Sequence, residues 1–204
     1  WTESVDVPED PSVVPTLAGT GFTLSFEDEI LVNFYYTAEN TEDVVSNGMV
    51  VFYSDPGTAD MAKADVIYDN ANYVEASGSY IVTTNGIAAK EMGDNRYYAA
   101  YAEMKDGTYA YSPLYQYSPK KYAMSRIQNS TDANMRALCV AMLNYGAAAQ
   151  QYFGYKTDCL MNADLTAAQQ ALVQASDPSL FRGPEAVDTS KVGAFASTGS
   201  GFRC

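Results

Sequence analysis

The dipeptide Asp106-Gly107 lies between two runs that alternate aromatic and small residues, Tyr97–Lys105 and Thr108–Tyr117. The flanking runs have the period of two that strands require, and an Asp-Gly pair supplies the positive φ that a tight hairpin needs. A two-residue loop of type I′ pairs Lys105 with Thr108, Met104 with Tyr109, Ala102 with Tyr111 and Tyr98 with Tyr115. On that register one face carries Tyr98, Ala100, Ala102, Met104, Tyr109, Tyr111, Tyr115 and Tyr117. The other carries Tyr97, Ala99, Tyr101, Glu103, Ala110, Ser112, Leu114 and Gln116. Neither face is polar. The hairpin is therefore expected in the middle of the structure, with a second sheet on one side and a further layer, for which the helical segment is the candidate, on the other.

Other strands follow from the same pattern. Ile30 to Tyr36 alternates, Met49 to Tyr53 is a core strand entered through Asn47-Gly48, and Ser79 to Thr84 ends at Asn85-Gly86. After residue 118 the period changes. Ser118-Pro119 is a helix start, with serine as the cap and proline in the first turn. Asn129 to Asp132 caps a second helix, whose apolar stripe is Met135, Leu138, Met142, Tyr145, Ala149 and Tyr152, widened by Cys139, Leu143, Gly146 and Phe153. Gly154 ends it, and Thr166 with Gln169 forms a capping box for a third helix that stops before Asp177-Pro178. The fold class is α+β: an antiparallel, immunoglobulin-like β-sandwich at 19–118, followed by a three-helix segment at 119–176 packed on it. Residues 1–18, with Pro8, Pro11 and Pro15, read as a linker. Residues 177–204 read as a terminal strand, at Val192 to Phe195, and a connection toward a following module.

The chain carries 25 acidic residues against 12 basic ones, with no basic cluster in the sequence. Nucleic acid and anionic membrane surfaces are disfavoured, since both require cations to neutralise phosphate. No run is long and apolar enough to insert in a membrane. The acidic, polar start, Trp1 to Glu9, is not expected to be a signal peptide, and oligomeric state is not legible. Of the three cysteines, Cys139 and Cys159 are not expected to pair. A helix running to Phe153 carries the chain about 21 Å from Cys139, and the return from Gly154 spans at most about 17 Å. Cys139 reads as a small buried apolar residue; a Cys159–Cys204 pair stays open.

The runs Asn85-Gly-Ile-Ala-Ala-Lys-Glu-Met-Gly-Asp94, Tyr117-Ser-Pro-Lys-Lys-Tyr122, Ala141-Met-Leu-Asn-Tyr-Gly-Ala-Ala-Ala-Gln150, Gln151-Tyr-Phe-Gly-Tyr155 and Leu160-Met-Asn-Ala-Asp-Leu-Thr166 resemble modules of large secreted and surface proteins, cellulosome-like in organisation, from gut Clostridia such as ruminococci. The resemblance spans roughly residues 20–175. It implies an extracellular or cell-surface location and a multi-modular parent, and it suggests attachment to glycans. It supplies no catalytic residue.

The sequence has no histidine, which excludes Ser-His-Asp and Cys-His nucleophile systems and histidine metal sites. No cofactor is expected. A glycosidase needs only two carboxylates; the candidates are Glu27, Asp28, Glu29 and Glu103, and Glu103 is expected opposite Ala110, without an acidic partner. Asp55, Asp60, Asp65 and Asp69 have the oxygen chemistry of a calcium site, but ordinary turn and cap roles fit them as well. The expected function is a non-catalytic module, not an enzyme, that binds a polysaccharide or a surface protein. Its expected ligand-binding residues are Tyr109, Tyr111, Tyr115 and Tyr117, on which sugar rings would stack. The alternative for that stripe is burial beneath the helices, which would leave a structural spacer or protein-docking module. Trp1 and the Tyr152–Tyr155 cluster are weaker candidates.

Overall fold

The computed structural model describes residues 13–26, 29–69 and 71–173. Among these the chain is mixed α and β, with nine strands in two antiparallel sheets and three helices. The strands are β1 (Thr16–Ser25), β2 (Leu31–Glu39), β3 (Val44–Phe52), β4 (Val66–Tyr68), β5 (Asn72–Val74), β6 (Ser79–Thr83), β7 (Arg96–Met104), β8 (Tyr109–Tyr111) and β9 (Tyr115–Tyr117). One sheet runs β1-β2-β6-β5; the other runs β4-β3-β7-β8, with β9 also on β7. β1 starts at Thr16, inside the segment expected to be linker, and Leu17 there is already core. The expected terminal strand at Val192 to Phe195 lies outside the described residues.

The two sheets share a core because alternate residues of β2, β3 and β7 point inward. Val32, Phe34 and Tyr36 meet Met49, Val51, Tyr98, Ala100 and Ala102. Asn47-Gly48 is not a turn but the middle of β3, paired with β7. Asn47 lies on the inner face, and its Oδ1 accepts the Tyr36 hydroxyl proton at 2.6 Å. Tyr98 and Tyr117 differ: their hydroxyls are buried with no hydrogen-bond partner among the described residues. An unpaired buried hydroxyl costs on the order of 1–3 kcal/mol. Tyr98→Phe is therefore expected to raise stability by about 1 kcal/mol, while Tyr36→Phe, which orphans Asn47, lowers it by about 1 kcal/mol. Urea unfolding midpoints check both; a Tyr98→Phe midpoint below the parent's would contradict this assignment.

The Asp106-Gly107 hairpin forms, but with a three-residue loop. Gly107 has φ +80°, whereas Asp106 does not enter the positive region that a type I′ turn demands. The Gly107 N–H donates to the Met104 carbonyl, and the Met104 N–H to that of Thr108, both at 2.9 Å. Consequently Glu103 faces Tyr109, Ala102 faces Ala110 and Tyr101 faces Tyr111, one residue away from the expected register. A one-residue slip exchanges the two faces of a strand, so Tyr109 and Tyr111 lie on the face expected for their neighbours. At Ser112-Pro113-Leu114 the register shifts back, and Tyr98 faces Tyr115 as expected. Ser112 holds this irregularity together: its Oγ accepts the Ala100 N–H at 2.9 Å and donates to the Pro113 carbonyl at 2.9 Å.

The outer face of β7 is covered by the segment between β3 and β4, not by the helices. Ala59, Met61 and Ala64 pack on Val50, Phe52, Ala99 and Tyr101. The helices build a separate core, Ile127, Val140, Leu143 and Met161 among others, which reaches the sheets through Leu24 and Ile30. The helices are α1 (Pro119–Asn129), capped by Ser118; α2 (Ala133–Phe153), capped by Asp132 and ended by Gly154 at φ +62°; and α3 (Ala167–Gln170), with the Thr166–Gln169 capping box formed. α3 is much shorter than its expected reach toward Asp177. The face that α2 buries is Cys139, Leu143, Gly146 and Gln150, while Leu138, Tyr145, Tyr152 and Phe153 of the expected stripe are exposed. Cys139 is buried and Cys159 exposed, and both are free thiols; Cys204 lies outside the described residues. Among the described residues no helix is long and apolar enough to cross a membrane.

Candidate functional site

The four expected tyrosines do not share a surface. Tyr115 and Tyr117 join the aromatic core between the sheets. Tyr117 stacks on Phe22 at 4.2 Å, and Tyr115 packs on Phe34 at 5.8 Å while its hydroxyl accepts the Gly19 N–H at 2.9 Å. Tyr111 lies on the outer face, where its hydroxyl accepts the Met61 N–H at 2.8 Å. Tyr109 alone is exposed, 41% of its surface being accessible. A stacking platform made from all of them does not exist, because the register change at Ser112–Leu114 sends one pair inward and the other outward.

A different surface has the chemistry of a ligand site. A 3-10 turn at Ala89–Glu91 leads into β7 through Met92-Gly93-Asp94-Asn95. Met92 is wholly buried under α2, and its carbonyl accepts the Lys120 N–H at 2.9 Å, which fastens the start of α1 to this turn. From the other side comes the chain leaving α2. Gly154 and Lys156 both adopt positive φ, +62° and +47°. For a side chain bearing a Cβ, that conformation costs about 1 kcal/mol. It brings Tyr155 and Lys156 back against the turn: the Tyr155 hydroxyl and the Lys156 ammonium donate to the two carboxylate oxygens of Asp94. The bond to Asp94 raises the pKa of both groups. Buried Gln150 closes the same loop, donating to the Cys159 carbonyl at 3.2 Å and accepting from the Met161 N–H at 2.8 Å.

Three adjoining clefts open along Gly93–Asn95. The first, about 320 Å³, is lined by Tyr53, Glu91, Asp94, Asn95, Arg96 and Tyr155. The second, about 240 Å³, shares Asp94 and Asn95 and adds Lys156, Gln150 and Lys120. The third, about 440 Å³, shares Asn95 and Lys120 and adds Lys121, Ser125 and Gln128. Tyr53 is 56% exposed, and the Arg96 guanidinium lies 4.9 Å from its ring centre. Glu91 is bridged to Arg96 at 3.4 Å and to Lys90 at 3.9 Å. The result is a groove with aromatic rings at one end and amides, hydroxyls and charges along its length. Such a surface can stack a flat apolar face while hydrogen-bonding a rim of hydroxyls.

Of these residues the sequence pointed only to Tyr155, through the Tyr152–Tyr155 cluster; Tyr152 itself points to solvent. Tyr53, Asp94, Asn95, Arg96 and Lys156 were missed. A second concavity, about 470 Å³, is lined by Phe26, Glu29, Ile30, Ile87 and Tyr145, with one charged side chain among those described. Trp1, Glu27 and Asp28 lie outside the described residues. Glu103 accepts from the Ser46 hydroxyl at 2.8 Å and faces Tyr109, not Ala110. Among the acidic residues weighed for calcium, Asp55 accepts from Gly57 N–H, Asp60 caps the turn at Met61–Lys63, and Asp65 accepts from Tyr53 N–H at 2.7 Å. Among the described residues no cluster of three potential metal ligands forms.

No protein-family model matches the chain, and no curated protein is similar to it at a significant level.

Proposed function

We propose that this chain is a non-catalytic, extracellular module of a multi-modular bacterial surface protein, and that it binds a glycan in the groove along Gly93–Asn95. The observation that carries the proposal is the makeup of that groove. Exposed Tyr53 and partly exposed Tyr155 flank Asp94, Asn95 and Arg96, so ring stacking and hydroxyl recognition are available within one cleft. Each run of the resemblance to clostridial surface modules contributes to it: Gly93 and Asp94, Lys120 and Lys121, Gln150, Tyr155, and Met161. The order β1-β2-β6-β5 opposed to β4-β3-β7-β8 further supports an immunoglobulin-like sandwich, a scaffold common in extracellular modules.

Glu91 and Asp94 line one cleft together, and this favours a second reading, a glycoside hydrolase. A glycosidase needs two carboxylates free to face the bond it cleaves. Glu91 is instead engaged by Arg96 and Lys90, and Asp94 by Tyr155 and Lys156. Binding without hydrolysis is the better fit.

Affinity electrophoresis against soluble plant, starch and mucin glycans tests the proposal. At least one glycan is expected to retard the chain. Tyr53→Ala and Asn95→Ala are expected to weaken that binding about tenfold each, or about 1.4 kcal/mol, with little change in unfolding midpoint for the exposed Tyr53. Release of reducing ends from the bound glycan would instead favour the hydrolase, and no retardation by any glycan would overturn the proposal.

A further inference from the structure

The groove is also where the cations of this acidic chain gather. Lys90, Arg96, Lys120, Lys121, Arg126 and Lys156 all lie on the segments that form it, leaving Lys63, Lys105 and Arg136 elsewhere among the described residues. Its third cleft, about 440 Å³, has Lys120 and Lys121 in its lining and no carboxylate among the described lining residues. Among the described residues, the Lys121 ammonium has for a partner only the neutral Gln116 side-chain oxygen. Lys120 is paired at 2.7 Å with Asp164, a side chain 65% exposed and therefore easily displaced as a counterion. Asn95, Ser125 and Gln128 add neutral donors beside the two ammonium groups.

The chain's formal charge is −13, so an anionic ligand is repelled at long range. Screening limits that repulsion to about 8 Å at physiological ionic strength, so a ligand inside the cleft meets chiefly the nearby groups, Lys120 and Lys121 against Asp164. A neutral sugar gives such a pair nothing that a serine or an amide could not.

We propose that the Lys120–Lys121 cleft receives an anionic substituent of the bound glycan, a carboxylate or a sulfate ester, and that the groove accordingly takes acidic polysaccharides in preference to neutral ones. The tyrosine end stacks one sugar unit, and the lysine end pairs with the charged group of a unit further along the chain. The inference rests on the glycan-binding function proposed above.

The test is affinity electrophoresis and calorimetric titration of the whole chain with polygalacturonate, with the same polymer fully methyl-esterified, with a sulfated galactan and with a neutral galactan. Polygalacturonate or the sulfated galactan is expected to bind about tenfold or more tightly than the neutral polymers, and their relative affinity separates carboxylate from sulfate. The preference should shrink as salt is raised. Lys120→Gln with Lys121→Gln should remove the preference, bringing the affinity for the acidic polymer down to that for the neutral galactan. Asp164→Asn, which frees Lys120, should strengthen binding to the acidic polymer. Equal affinity for charged and neutral polymers, or an unchanged preference in the double variant, overturns this inference and leaves the glycan-binding proposal standing. Failure to bind any of these polymers overturns this inference, and failure across the plant, starch and mucin glycans as well overturns both.

Discussion

Gly48→Ala is expected to lower the stability of the chain by about 3 kcal/mol or more, well beyond an ordinary surface change. A Cβ at position 48 would stand 2.0 Å from the Tyr68 carbonyl oxygen of β4 and 2.8 Å from the Tyr101 ring. The ring can rotate, but the carbonyl belongs to a strand paired with β3 through Met49–Tyr68. Relief therefore requires β4 to move away, which uncovers Val50 and the segment packed on it. Gly21→Ala is the control: a Cβ there meets nothing within 4 Å, and its effect should stay within about 0.5 kcal/mol. Guanidinium unfolding midpoints compare the two. Equal midpoints would mean that β4 does not sit against Gly48.

The second large effect is at high pH. Burial pushes the Tyr98 phenol up to about 12, with Arg96 pulling it partly back. Burial also raises Tyr36, with Tyr80 adding to the shift, and Tyr117, with Tyr122 adding to it. In the unfolded chain all three lose their protons near pH 10, whereas in the folded chain they keep them. Stability from these groups is thus complete below about pH 10 and falls as pH rises toward the folded values. The slope is about 1.4 kcal/mol per pH unit for each tyrosine, or about 4 kcal/mol for three. A domain in the lower part of the usual range of about 5–15 kcal/mol should therefore unfold cooperatively above about pH 11, releasing buried tyrosinate in the same transition. Near-ultraviolet circular dichroism and tyrosinate absorbance, followed together, check this. Titration of every tyrosine near pH ~10 with the fold intact would contradict it.

What was legible in the sequence is what short-range chemistry controls. The Ser118, Asp132 and Thr166 caps, the Gly154 stop and the burial of Cys139 all depend on a few neighbouring residues. The strands of the core followed from alternation. The side of β8 did not, because the Asp106-Gly107 pair suits a two-residue or a three-residue loop, and one residue decides whether Tyr109 and Tyr111 face the core or the outside. The limits of the buried face of α2 were illegible for another reason, although Cys139, Met142, Leu143 and Gly146 of the expected stripe are buried. Both Leu138–Tyr145–Tyr152 and Cys139–Leu143–Gly146 are apolar, so periodicity cannot choose between them. The choice falls to Gly146, whose missing side chain lets Met92 and Met161 approach closely.

The groove was hidden because four separated segments assemble it: Tyr53 after β3, Gly93–Arg96 before β7, Lys120–Gln128 on α1 and Tyr155–Lys156 after α2. None carries a motif by itself. Asp94 becomes a site residue only because the positive φ values at Gly154 and Lys156 bring a tyrosine and a lysine to its carboxylate. Of the Tyr152–Tyr155 cluster that the sequence does announce, Tyr155 lines the groove and Tyr152 points to solvent.

Backbone amide shift mapping by NMR, on the labelled chain titrated with an oligosaccharide of its best-retained glycan, locates the binding surface directly. The groove predicts shifts at Gly93, Asp94, Asn95, Arg96, Tyr155 and Lys156, extending along α1 to Lys121 for an acidic oligosaccharide. Shifts confined to Tyr109 and Tyr111, or to the Phe26–Tyr145 concavity, would contradict the site, and the absence of shifts with every glycan would contradict the function.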